Sequence, residues 1–98
     1  MKAIQSSRLT ALEEFASWFH QDFFVLFPNV QSGAAEYLAQ LTDSQRHLLL
    51  SQLGLFVQAN GRASEKAIRR AWFKLGAQAW PARGDTKALL ASFLEQIR

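Results

Sequence analysis

Apolar residues recur along most of this chain at intervals of three and four, the period of a helix that buries one face. Leu12, Phe15, Ala16 and Phe19 form the first set, and Thr10-Ala11-Leu12-Glu13 precedes it as a capping box. The spacing predicts a first helix from about Ala11 to Phe19 or His20. Phe23-Phe24-Val25-Leu26-Phe27 then breaks the period and runs into Pro28, which pushes Phe27 out of the helical region. It reads as a buried extended segment, and nothing else in the chain reads as a strand to pair with it. Ser32 reads as the cap of a second helix over roughly Gly33 to Leu41, burying Tyr37, Leu38 and Leu41. Thr42-Asp43-Ser44-Gln45 is a second capping box and opens a third helix from Asp43 to about Ala59. Leu49, Leu53, Phe56 and Val57 face inward on it, and Leu48, Leu50 and Leu55 predict burial on more than one side. Asn60-Gly61 reads as a left-handed end. Ser64 caps a fourth helix, whose stripe Ile68, Ala71, Trp72, Leu75 and Ala79 continues to Pro81. Asp85 caps a fifth, from Thr86 to about Ile97, burying Leu89, Leu90, Phe93, Leu94 and Ile97. The expected fold is all-α: a compact bundle of about five short helices with an irregular aromatic segment after the first.

Length makes this one domain over residues 1–98, with 1–8 as a loose leader. The absence of cysteine removes disulfides, thiolate metal sites and a cysteine nucleophile. No apolar run follows the N-terminus and none approaches the roughly 20 residues of a membrane span, so a cytoplasmic protein is expected.

The net charge of +3 is unevenly spread. Residues 1–49 carry three basic and five acidic groups, whereas residues 50–98 carry eight basic and three acidic ones. Glu13, Glu14, Glu36 and Asp43 are the candidate acidic face. Arg62, Lys66, Arg70 and Lys74 repeat every four residues with Arg69 beside them, a candidate basic face for phosphates or an acidic protein. Neither a helix-turn-helix glycine pattern nor aromatic–basic interleaving accompanies it.

Candidate chemistry centres on Trp18-Phe19-His20-Gln21-Asp22-Phe23. A metal would need three or four ligands in register, and no such spacing joins His20 to His47 or to the carboxylates. The structural reading is preferred: His20 meets the negative end of the first helix, and Gln21 and Asp22 bond freed backbone groups or an indole N–H in an apolar setting. Asp22→Ala is then expected to cost about 1–3 kcal/mol, and Trp18→Ala on the order of 3–5 kcal/mol if its ring is core. Among the large rings Trp80, beside Pro81, is the one most open to exposure, with the core the preferred place. No phosphate loop, catalytic triad or paired carboxylates can be recognised, so no catalytic, cofactor-binding or metal residue is assigned and no enzyme is expected.

Leu12-Glu13-Glu14-Phe15 followed by Trp18-Phe19-His20-Gln21-Asp22-Phe23 resembles the opening signature of a family of small helical immunity proteins from bacterial contact-dependent growth inhibition systems. In that family an aromatic pair precedes His-Gln-Asp and an aromatic residue follows. Leu75-Gly76, Pro81, Gly84 and the closing helix through Leu94 resemble the family's C-terminal pattern. The resemblance implies a cytoplasmic antidote without cofactor that binds the C-terminal toxin domain of a delivered effector, typically a nuclease. It would block the active site or substrate access. No membrane, nucleic-acid or small-molecule partner is expected from it. Either the acidic face meets a basic toxin or the basic face grips an acidic one. The alternative, kept open by the basic stripe, is a small basic nucleic-acid-binding or regulatory domain.

Overall fold

The computed structural model describes residues 10–98; the leader expected over 1–8 lies outside them. Among these residues the structure is all-α. Its helices are α1 (Ala11–Trp18), α2 (Phe23–Leu26), α3 (Val30–Ala39), α4 (Asp43–Ala59), α5 (Glu65–Lys74) and α6 (Thr86–Ile97).

Most helix starts follow from side chains next to them. Thr10 and Glu13 exchange side-chain and backbone bonds at α1, and Thr42 and Gln45 do the same at α4. Ser64 accepts from Ala67 N at 3.1 Å, and Asp85 from Ala88 N at 3.1 Å. α3 begins three residues before the predicted Gly33. Its cap is Asn29, whose Oδ1 accepts from both Ser32 N at 2.8 Å and Ser32 Oγ at 2.9 Å. Asn29 takes the capping role, and Ser32 becomes its donor.

Four other expectations change. Residues 23–26 form one helical turn in place of the extended segment, so the described residues form six helices. α5 stops at Lys74, because Gly76 turns the chain at φ +128° and a Cβ there would lie 2.5 Å from Ser17 Oγ. Asn60 ends α4 at φ −104°, outside the left-handed region, and Leu48 and Leu55 are exposed, so α4 buries one side.

α6 packs against α3, α4 and α5, and α4 packs against α1. The core between them is aromatic. Phe15, Phe19, Trp72 and Phe93 are completely buried. Phe15 stands edge-on to Phe19 at 5.3 Å and to Phe93 at 5.5 Å, while Phe19 stacks on Phe93 at 5.8 Å between ring centroids. Trp80 belongs to this cluster, 5.3 Å from both Phe19 and Trp72. Among the described residues the buried Trp72 indole N–H has no hydrogen-bond partner, a cost of about 1–3 kcal/mol that ring packing must offset.

Candidate functional site

The corner between α1 and α2 is held by bonds from distant parts of the chain. The Phe19 carbonyl accepts from Gln78 N at 2.7 Å and Ala79 N at 2.9 Å. α1 therefore ends where the segment after α5 claims its carbonyl. His20 O accepts from Phe23 N, and Phe23 O from Phe27 N, each at 2.9 Å, which closes the turn of α2. The Trp18 indole donates to Gly33 O at 2.9 Å and ties α1 to α3. Phe23 is fully buried, with ring centroids 4.8 Å from Phe19 and 5.0 Å from Phe27. Its ring lies on Gly33, where a Cβ would collide with it.

The motif therefore divides. Phe19 and Phe23 are core, and Trp18 is half-buried. His20 is half-buried and its Nδ1 accepts from Asp22 N at 3.1 Å. Gln21 and Asp22 are exposed, and Asp22 makes no capping bond to α2. The polar triplet turns outward rather than into an apolar setting, and the indole N–H goes to Gly33 O. The expected penalty for Asp22→Ala consequently has no buried partner to produce it.

A single turn can bury only one face. Phe23 and Phe27, four apart, take the inward positions. Phe24, Val25 and Leu26 are left 44%, 83% and 62% exposed. Residues 23–35 contain no Asp, Glu, Lys or Arg, so no charge interrupts this projection along the chain. Beside it lies an open groove of about 630 Å³. Phe24, Pro28 and Val30 form one side of the groove, and Pro81, Arg83 and Leu89 line the other. Sequence reasoning missed these three exposed residues. The available signal was the i, i+4 pair Phe23/Phe27 inside a run for which the chain offers no partner strand.

The acidic candidates are only partly gathered. Glu13 is occupied by the cap of α1, accepting from Thr10 N at 2.9 Å. Glu14 lines a hollow with Tyr37 and Leu48, and Asp43 lines the next hollow with the same exposed Leu48. Burial, and then the charge of Glu14, push the Tyr37 hydroxyl above its ordinary 10.0. Glu36 is exposed on α3 and lines neither hollow.

On the basic side Arg62, Lys66, Arg70 and Lys74 are exposed. Arg69 departs from them. It pairs with Glu65 at 3.0 Å and donates to Pro81 O at 2.6 Å, and so braces the turn between α5 and α6.

Among the described residues no three His, Cys, Asp or Glu side chains gather as a metal site, and no helix is long and apolar enough to cross a membrane. Comparison with protein-family models, with curated proteins and with solved structures gave no match.

Proposed function

We propose that this chain is an immunity protein of a contact-dependent growth inhibition system, and that it neutralises its toxin by binding it without catalysis. The observation that carries the reading is the exposed Phe24-Val25-Leu26 turn, supported by the same corner that bears the family-like signature. Three consecutive exposed apolar side chains are costly on a free surface and are natural at the dry centre of an interface. The corner is rigid because Trp18, Phe19 and Gly33 fix it, which keeps the entropy lost on binding small. The polar residues of the groove beside Phe24, among them Asn29, Gln31 and Arg83, offer the polar rim such an interface needs.

The toxin surface that meets α2 is then apolar and uncharged, since α2 carries no group to neutralise a buried charge. The proposed partner is the toxin domain encoded beside this chain, the proposed location is the cytoplasm, and no small molecule is required. Co-expression with that domain tests this. Recovery of a one-to-one complex that survives high salt, with rescue of growth, is the expected result; a toxin that kills cells in the presence of this chain contradicts it.

The second reading rests on Lys66, Arg70 and Lys74, which form an exposed basic row on α5. Binding of nucleic acid through that row would weaken steeply with salt, whereas the α2 contact would not.

A further inference from the structure

The connection from α5 to α6 forms one wall of the groove, and both ends of its last part are held by α5. Arg69 Nη1 donates to Pro81 O at 2.6 Å. Glu65 Oε1 accepts from Thr86 N at 2.7 Å. Glu65 Oε2 accepts from Thr86 Oγ1 at 2.6 Å and from Arg69 Nη2 at 3.0 Å. Thr86 is completely buried, and its Oγ1 in turn accepts from the Trp80 indole at 3.2 Å. Between the two anchors Ala82, Arg83, Gly84 and Asp85 are exposed, and Gly84 bends the chain at φ +134°.

The direction of these bonds depends on the charge of one group. A hydroxyl has a single proton, and Thr86 gives it to Glu65, which leaves its lone pairs for the Trp80 indole. Three donors converge on the Glu65 carboxylate. An ionised carboxylate satisfies all three, whereas a protonated one would present a proton of its own to a site already filled with donors.

We propose that Glu65 is a positioning residue for the groove: its carboxylate locks residues 81–86, and with them Arg83, into the place from which they meet the partner, and loss of that charge releases them. The lock stands on the bonds alone. The role of Arg83 toward a partner rests on the immunity reading.

The charged groups around Glu65 are Arg69 on α5, Asp85 at the loop end and Lys87 on α6; Lys87 is itself bonded to Gly61 O at 2.8 Å. Burial pushes the Glu65 carboxyl up, but the bonds from Thr86 and Arg69, with the charge of Arg69, outweigh it and leave it below its ordinary 4.5. A group lowered in this way contributes its bonds fully above the ordinary value and loses them as pH falls through the lowered one.

The test uses the full chain labelled with nitrogen-15, without partner, followed by amide spectra from pH 7 to pH 3 and repeated for Glu65→Gln. The Thr86 amide should titrate in the wild type with a midpoint below 4.5. In Glu65→Gln its protection from exchange should fall about tenfold or more, the order expected for lost bonds to a charged acceptor, while Leu49 and Leu53 keep theirs. A Thr86 amide that does not titrate, or that stays equally protected in the variant, overturns the lock. Should the variant fail to fold, the wild-type titration decides alone. With the toxin domain added, Arg83→Ala and Glu65→Gln should both weaken binding, about tenfold for a contact near the rim. Unchanged affinity in both overturns the positioning role. Absence of binding by the wild type sinks the immunity reading instead, and the titration still decides the lock.

Discussion

Two glycine-to-alanine changes in this molecule should have opposite signs. Both Gly33 and Gly54 lie inside helices, where alanine is favoured over glycine by about 1 kcal/mol. At Gly54 an added Cβ meets nothing within 4 Å, so the helical gain should appear almost whole, about 0.5–1 kcal/mol of added stability. At Gly33 the added Cβ collides with the Phe23 ring and comes within 3.1 Å of Phe27 Cδ2. Phe23 cannot give way, because it is completely buried between Phe19 and Phe27. Overpacking of such a site costs about 1–3 kcal/mol, and the rigid ring puts it at the upper end. After the helical gain is subtracted, Gly33→Ala should lose about 2 kcal/mol. In a domain of this size that is a fall in Tm of about 10 °C, against a rise of a few degrees for Gly54→Ala. Urea unfolding followed by circular dichroism, with an unchanged slope, supplies the free energies. A Gly33→Ala protein as stable as the wild type would refute the close seating of α2 on α3. A Gly54→Ala protein that lost stability would show that the helical gain has been misjudged.

Trp18→Phe keeps a ring against Tyr37 but removes the bond to Gly33 O, and denaturant unfolding should show a loss of about 1 kcal/mol. Trp18→Ala should cost about 2–3 kcal/mol by the same assay, less than a fully buried tryptophan, because the ring is half-buried. Asp22→Ala should change stability by no more than about 0.5 kcal/mol, since the side chain is exposed and caps nothing. Between pH 7 and pH 3 the wild type should lose more stability than Glu65→Gln, so that the gap between the two narrows. The Glu65 contribution is lost as pH falls below 4.5, and the variant has none to lose. Equal pH profiles for the two proteins would contradict this.

The parts of the fold legible in the sequence are those with local causes. Thr10 with Glu13, Thr42 with Gln45, Ser64 and Asp85 each start a helix by bonding a backbone group three residues on, and each is visible as a short pattern. The inward stripes of α1 and α6 are visible for the same reason. The misread places have distant causes. Ala77, Gln78 and Ala79 suit a helix by propensity, yet the N–H groups of Gln78 and Ala79 bond Phe19 O, nearly sixty residues earlier. Phe23-Phe24-Val25-Leu26-Phe27 has strand-like composition, but Gly33 offers a flat seat for one ring, and a helical turn uses it. The candidate site was correspondingly half legible. The signature located the corner, while the exposed residues on that corner depended on which face the turn buried. Arg69 looked like one more member of a basic row until Glu65, Thr86 and Pro81 were placed around it.

The proposed contact with a toxin lies on α2, and one comparison of affinities tests it most directly. Val25 and Leu26 are 83% and 62% exposed, so Val25→Glu with Leu26→Glu should leave the melting curve unchanged. Calorimetric titration with the toxin domain encoded beside this chain should then show affinity reduced about a hundredfold or more, the effect of placing charge in the dry centre of an interface. A double variant that binds the toxin as tightly as the wild type would contradict the account and move the contact to the charged faces.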